Sequence, residues 1–318
     1  MPLKVFVFYN GLTEQTKGYP YHISYGNLFN QLALHKINIQ DHGTLLGRPR
    51  RRLINEAHAL GIKVFLMVSN LTSRGQFSSA LVEKLVRDQC FANIVWQNIK
   101  NILDEYQCDG VNFDLQRVAP GDKPLFSKLI SNWSERFQRE NYLVSINLPA
   151  KTSNDLLDDL EDRRDFFDYT AIGQAVDEVI ITSEEHRASI EPGAVASFPW
   201  FKRVLNYAVT NIPPGKIFME IPIYGLDWPE QGVGQIISYQ QAIELARRHG
   251  APLQWDAGQH STYFRYEIMR ERHTVYFEDP RSMSDKLDIA LQLGIRGIAL
   301  CKLNLSYTSF WDVLQTYV

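Results

Sequence analysis

CDGVNFDLQRV, from Cys108 to Val118, is the stretch on which the reading of this chain turns. Asn112, Asp114 and Gln116 alternate with Val111, Phe113 and Leu115, so an extended strand sends the polar side chains to one face and the apolar ones to the other. Polar groups gathered on one face of an otherwise apolar strand mark a working surface. Its last polar position, where an acid would complete a proton-transferring pair, carries an amide.

Outward from this strand, short β-rich apolar runs recur, each followed by residues with helical spacing. Strands are expected at 4–10, 36–40, 63–69, 110–115, 143–149, 178–183, 216–223 and 297–303, with helical segments at 50–60, 79–89, 91–107, 123–140, 198–210, 238–249 and 282–293. Alternating βα units with apolar strands imply a parallel sheet covered by helices. Eight such strands predict an α/β fold, a closed (β/α)₈ TIM barrel, formed by residues 1–318 as one domain. No Gly-rich loop follows the first strand, which argues against a dinucleotide fold. Between the seventh and eighth strands the chain runs longer than a βα connection needs. The aromatic and polar composition of Leu253–Glu278 predicts a small antiparallel β subdomain inside an insertion at 229–278.

The chain has 318 residues, 45% hydrophobic and 22% charged, with a net charge of −3, as in a soluble globular protein. RPRRR at Arg48–Arg52 reads as a solvated helix start, so neither a nucleic-acid nor a membrane partner is expected. The opening MPLKVFVFYNG has too short an apolar run for a signal peptide and reads as a first strand, which implies synthesis in the cytoplasm. Cys90, Cys108 and Cys301 form no CxxC or Cys/His pattern and read as small apolar filler. His186, His260 and His273 lack metal-ligand spacing, so no metal and no cofactor is expected.

In a barrel of this kind chemistry sits at the C-terminal strand ends, and polar residues accumulate there: Asn70, Asp114, Gln116, Asn147, Ser183, Glu184, Tyr224, Asp227 and Trp228. Asp109 precedes the strand glycine and reads as a turn or capping residue. DGVNFDLQ at 109–116 resembles the DGxxxDxE signature of family 18 glycoside hydrolases, the chitinase-like barrels. The similarity is closest to the spore cortex-lytic branch. It recurs in order in GIKVFLMVSN (61–70), PGAVASFPW (192–200), KIFMEIPIYGLDW (216–228), HTVYFEDPRSMSDKL (273–287) and GIRGIALCKL (294–303).

The resemblance implies substrate-assisted hydrolysis of N-acetylglucosamine-containing glycan, peptidoglycan or chitin-like. Asp114 would orient the sugar's N-acetyl group, and Asn112 is the residue this branch often carries two places earlier. Position 116, a glutamate in the family, would protonate the glycosidic oxygen, but here it is Gln116. ITSE at 181–184 stands where the family has MxYD, which puts Ser183 at the tyrosine and Glu184 at the aspartate. Cys301 stands where a tryptophan forms the floor under the reacting sugar. Asn70, Asn147, Tyr224 and Trp228 are the further candidates for sugar contact, although Asn70 equally suits a strand-end cap and Tyr224 and Trp228 equally suit core packing.

The leading expectation is a catalytically impaired glycan binder in a spore-envelope setting. An active enzyme is the first alternative, either as a Glu→Gln variant of a working hydrolase or with Glu184 as a displaced acid. The variant explanation covers Gln116 but leaves Ser183 and Cys301 unexplained. A structural coat protein without sugar affinity is the second.

Overall fold

A computed structural model of the chain describes residues 1–9, 25–153, 167–183, 191–301, 305 and 307–318, apart from the side chains of residues 35, 36 and 301. Eight parallel strands form the expected barrel: β1 (Lys4–Tyr9), β2 (Gln31–Ile39), β3 (Lys63–Ser69), β4 (Gly110–Asp114), β5 (Leu143–Leu148), β6 (Glu178–Ile181), β7 (Ile217–Pro222) and β8 (Gly297–Cys301). The barrel closes through β1, which pairs with β8 from Lys4↔Gly297 to Val7↔Leu300 and with β2 from Phe6↔Gln31 to Tyr9↔Leu34.

Strand alternation divides the core in two. On β1, Val5 and Val7 pack outward into the large cluster between strands and helices, while Phe6 and Phe8 point into the lumen. There they meet Ala33, Phe65, Met67, Ile180, Phe218 and Ala299, so the lower lumen is filled by side chains. At the N-terminal strand ends, Gln31 Nε2 donates to Glu178 Oε1 at 2.6 Å and Arg296 Nε lies 3.1 Å from the same oxygen. Burial pushes the Glu178 carboxyl up, against Gln31 and Arg296. Gly110 opens β4 because a Cβ there would lie 2.3 Å from Leu143 O, too close for any side chain. Asp109 beside it is structural: its Oδ2 accepts from Val64 N at 2.7 Å and faces His58 Nε2 at 2.9 Å.

The structure corrects three details. β2 begins at Gln31, five residues before the expected 36, because the register with β3 shifts between Leu34 and Ile37 and breaks the alternation. Helices Tyr169–Ala175 and Thr308–Leu314, each about two turns, were too short for periodicity to reveal. Cys108 is buried filler as expected, but Cys90 is exposed near the start of helix Gln89–Tyr106.

Between β7 and β8 lies a five-stranded antiparallel sheet in the order Gln235–Ile237, Gly225–Pro229, Glu271–Phe277, Ser261–Ile268, Gln254–Asp256. The sheet recruits Gly225–Pro229 and Gln235–Ile237 in addition to the strands expected within Leu253–Glu278. Gly225 permits this, since a Cβ there would lie 2.3 Å from Tyr276 O. Phe264, Val275 and Phe277 cover one face together with Ala242 and Ala246 of helix Tyr239–His249. That helix starts on a reciprocal cap between Ser238 and Gln241. Among the described residues no helix is long and apolar enough to cross a membrane.

Candidate functional site

The polar face of β4 opens onto the lumen at the C-terminal end of the barrel, as the alternation of its sequence requires. Asn112 Nδ2 donates to Ser145 Oγ at 2.9 Å and to Asn147 Oδ1 at 3.0 Å, joining β4 to β5 beneath the mouth. Asn112 is fully buried, and its Oδ1 has no hydrogen-bond partner among the described residues. Asp114 is the next inward residue and is 6% exposed. Gln116 Nε2 donates to Asp114 Oδ1 at 3.2 Å, so the amide and carboxylate expected to work together are in direct contact.

Asn70, just past β3, fixes this pair from the side. Its Oδ1 accepts from Gln116 N at 3.0 Å, while its Nδ2 donates to Gln116 O at 2.8 Å and to Ser78 O at 2.9 Å. The chain then turns through Arg117 at φ 66°, a left-handed conformation that costs a non-glycine residue about 1–2 kcal/mol. The Asn70 bonds hold the turn that exits β4. Asn70, Asn112, Asp114, Gln116 and Asn147 are thus brought together at one end of the barrel.

Other candidates fall elsewhere. On β6, Ile180 points into the lumen, while Val179 and Ile181 pack outward. β6 ends at Ile181, so this alternation does not extend to Ser183, which follows the strand. The Ser183 side chain is fully buried, and its Oγ has no partner among the described residues. Glu184 lies outside the described residues, as does the side chain of Cys301. Tyr224 is 3% exposed, at the junction between β7 and the inserted sheet. Trp228 belongs to that sheet, with its indole 2% exposed and Gly234 packed so closely that a Cβ would lie 2.6 Å from the ring. It packs as a core aromatic does.

One residue escaped the sequence reading. In β7, Phe218 belongs to the lumen cluster, so Glu220 shares its inward face, and its Cα partner is the lumen residue Ala299. Glu220 is 6% exposed. The register runs from Asn147 through Ile180 to Phe218, so Glu220 stands one inward position farther along its strand than that row. The alternation of IFMEIP, an acid at the parity of Phe218, was the available signal.

The wall beside the mouth is stiffened by Asp227, which accepts from Tyr266 OH at 2.7 Å and faces His273 Nδ1 at 2.9 Å. Burial, then the bond to Asp227, pushes the Tyr266 hydroxyl well above its ordinary pKa. Among the described residues, no group of three or more His, Cys, Asp or Glu side chains is placed to hold a metal ion.

The fold has known counterparts. The chain is 34% identical to the putative sporulation-specific glycosylase YdhD of Bacillus subtilis over 76% of its own length, and spans 57% of that protein. It is 29% identical to the cortical fragment-lytic enzyme of Bacillus subtilis, over 89% of this chain and 67% of the relative. Among solved structures, the Bacillus cereus spore cortex-lytic enzyme SleL superposes with a TM-score of 0.90 at 26% identity, covering 99% of this chain and 74% of that one. A chitinase from Chromobacterium violaceum matches at TM-score 0.90 and 27% identity over 98% of both chains. The profile of Glycosyl hydrolases family 18 matches residues 13–304, and the chain belongs to that family.

Proposed function

We propose that this barrel holds an N-acetylglucosamine-containing glycan at its mouth and is impaired in cleaving it. The observation that carries the reading is the contact between Gln116 and Asp114, with an amide standing where the family signature has its acid. A carboxamide can donate a hydrogen bond to a sugar oxygen, but it releases no proton at any accessible pH. The general-acid contribution it forgoes is typically about 10²–10⁴ in rate. Asp114 remains, braced by Gln116 and two residues beyond the bridge from Asn112 to Asn147, which supports orientation of an N-acetyl group without the proton transfer that follows. The relatives named for cortical fragments and for spore cortex lysis support a peptidoglycan-like ligand in a spore-envelope setting. The likeness to a chitinase supports the same amino sugar.

Two measurements test this together: chromophore release from an N-acetylglucosaminide, and titration with chito-oligosaccharides. The expected result is saturable binding with release at the level of buffer. Release well above background overturns the impairment. Absence of binding at millimolar ligand overturns the glycan and leaves a structural coat protein as the better account.

Glu220 favours a second reading, an active hydrolase whose proton comes from another strand. A buried carboxyl on the inward face of β7 has the chemistry Gln116 lacks. If Glu220→Gln abolishes a measurable release of chromophore, this reading replaces the first.

A further inference from the structure

The inserted sheet packs one face on helix Tyr239–His249, and the opposite face carries charge in register. Arg265, Thr274 and Trp228 form one cross-strand row, and Glu267 pairs with Arg272 in the next. These residues, with Glu230 and Pro192, line a surface depression of about 580 Å³. Its two cations differ. Arg272 is neutralised, with its Nη2 2.6 Å from Glu230 Oε1. Arg265 makes no ion pair among the described residues; its guanidinium lies 5.4 Å from the ring centroid of Tyr263, which is itself stacked on Tyr276 at 5.1 Å. An arginine supported by an aromatic face keeps its donors free for a carboxylate.

The depression lies on the strand that follows β7: Gly225–Pro229 begins three residues past Pro222, and Trp228 is four residues beyond Tyr224. An oligosaccharide long enough to run from the mouth onto this sheet would present its substituents to Arg265. Chitin is neutral, whereas peptidoglycan carries carboxylates on its lactyl-peptide side chains. We infer that Arg265 is a specificity-determining residue that binds a carboxylate carried on the glycan, so that the ligand is a peptide-bearing, anionic glycan in preference to a neutral one. This inference rests on the glycan reading above.

Calorimetric titration of the whole chain with three ligands of equal sugar length tests it: a chito-oligosaccharide, a glycan bearing peptide carboxylates, and the same glycan with every carboxylate amidated. The expected result is binding of the anionic glycan about tenfold tighter than its amidated form, the scale of one hydrogen bond to a charged group. Arg265→Ala removes that preference and leaves affinity for the amidated glycan unchanged, while Arg265→Lys restores part of it. Half-molar salt narrows the gap. Equal affinity for the anionic and amidated forms in the unaltered chain, or a preference that survives Arg265→Ala, overturns the inference and leaves the glycan reading standing. If none of the three binds, the glycan reading itself falls and takes the inference with it.

Discussion

Asn70 grips the backbone of Gln116 from both sides, accepting from its N–H at 3.0 Å and donating to its C=O at 2.8 Å. The residue expected to touch ligand therefore acts first as a brace. Asn70→Ala strands these groups in a partly buried setting, at about 1 kcal/mol, the low end of the range for an orphaned donor or acceptor. Urea unfolding should show a lower midpoint at unchanged slope, with Asn70→Asp between the two because it keeps the acceptor. An unaltered midpoint in Asn70→Ala would contradict the brace.

Gln116→Glu returns a carboxyl to a position where the present amide sits 3.2 Å from Asp114. The neighbouring carboxylate raises the pKa of the new group and keeps it protonated, as a general acid requires. If only the acid is missing, chromophore release should climb by about 10²–10⁴. The expected gain falls short of the lower bound, because Cys301 stands where the family has its tryptophan floor. A thousandfold gain would mean that the mouth is otherwise intact.

Lys286 and Glu278 form an ion pair in which both side chains are nearly inaccessible, and Ser282 Oγ donates to Glu278 Oε2 at 2.7 Å. Burial pushes the Glu278 carboxyl up, and Lys286 opposes the shift. Lys286→Met leaves a buried carboxylate uncompensated, which costs about 3–5 kcal/mol. Glu278→Gln combined with Lys286→Met should recover much of the loss, and a double variant as unstable as the single one would show that the pair is not what matters.

Cysteine reactivity separates two environments. Burial, with Asp109 nearby, pushes the Cys108 thiol up to about 12, so almost no thiolate forms at pH 8. Cys90 is exposed. With Cys301 replaced by Ser, a thiol reagent at pH 8 should consume Cys90 at once and reach Cys108 only when denaturant is added. Loss of the fast phase in Cys90→Ser confirms the assignment, and rapid labelling of Cys108 in the folded chain would refute it.

The barrel was legible because strands buried on both sides read as apolar runs, and all eight runs became strands. Their ends were less so, since the irregularity between Leu34 and Ile37 hides half of β2 from a search for alternation. The cluster around Asp114 was legible for the opposite reason: strict alternation from Asn112 to Gln116 fixes one face. Ser183 was assigned by motif match alone, and past the end of β6 at Ile181 no pairing partner fixes its register. Glu220 was overlooked as one acid in an apolar run. Asn70 was ambiguous, because a strand-end amide suits a cap and a ligand contact equally well, and only the fold brings it to the backbone of Gln116.

The closed barrel leaves no unpaired rim between β1 and β8, but the inserted sheet terminates in Gln235–Ile237 on one side and Gln254–Asp256 on the other. Backbone-mediated attachment of another polypeptide to that sheet is directed to these two short margins and to Phe264–Ile268, which pairs on one side only, with Glu271–Val275. Each of the three is at most five residues long, enough for a brief zipper.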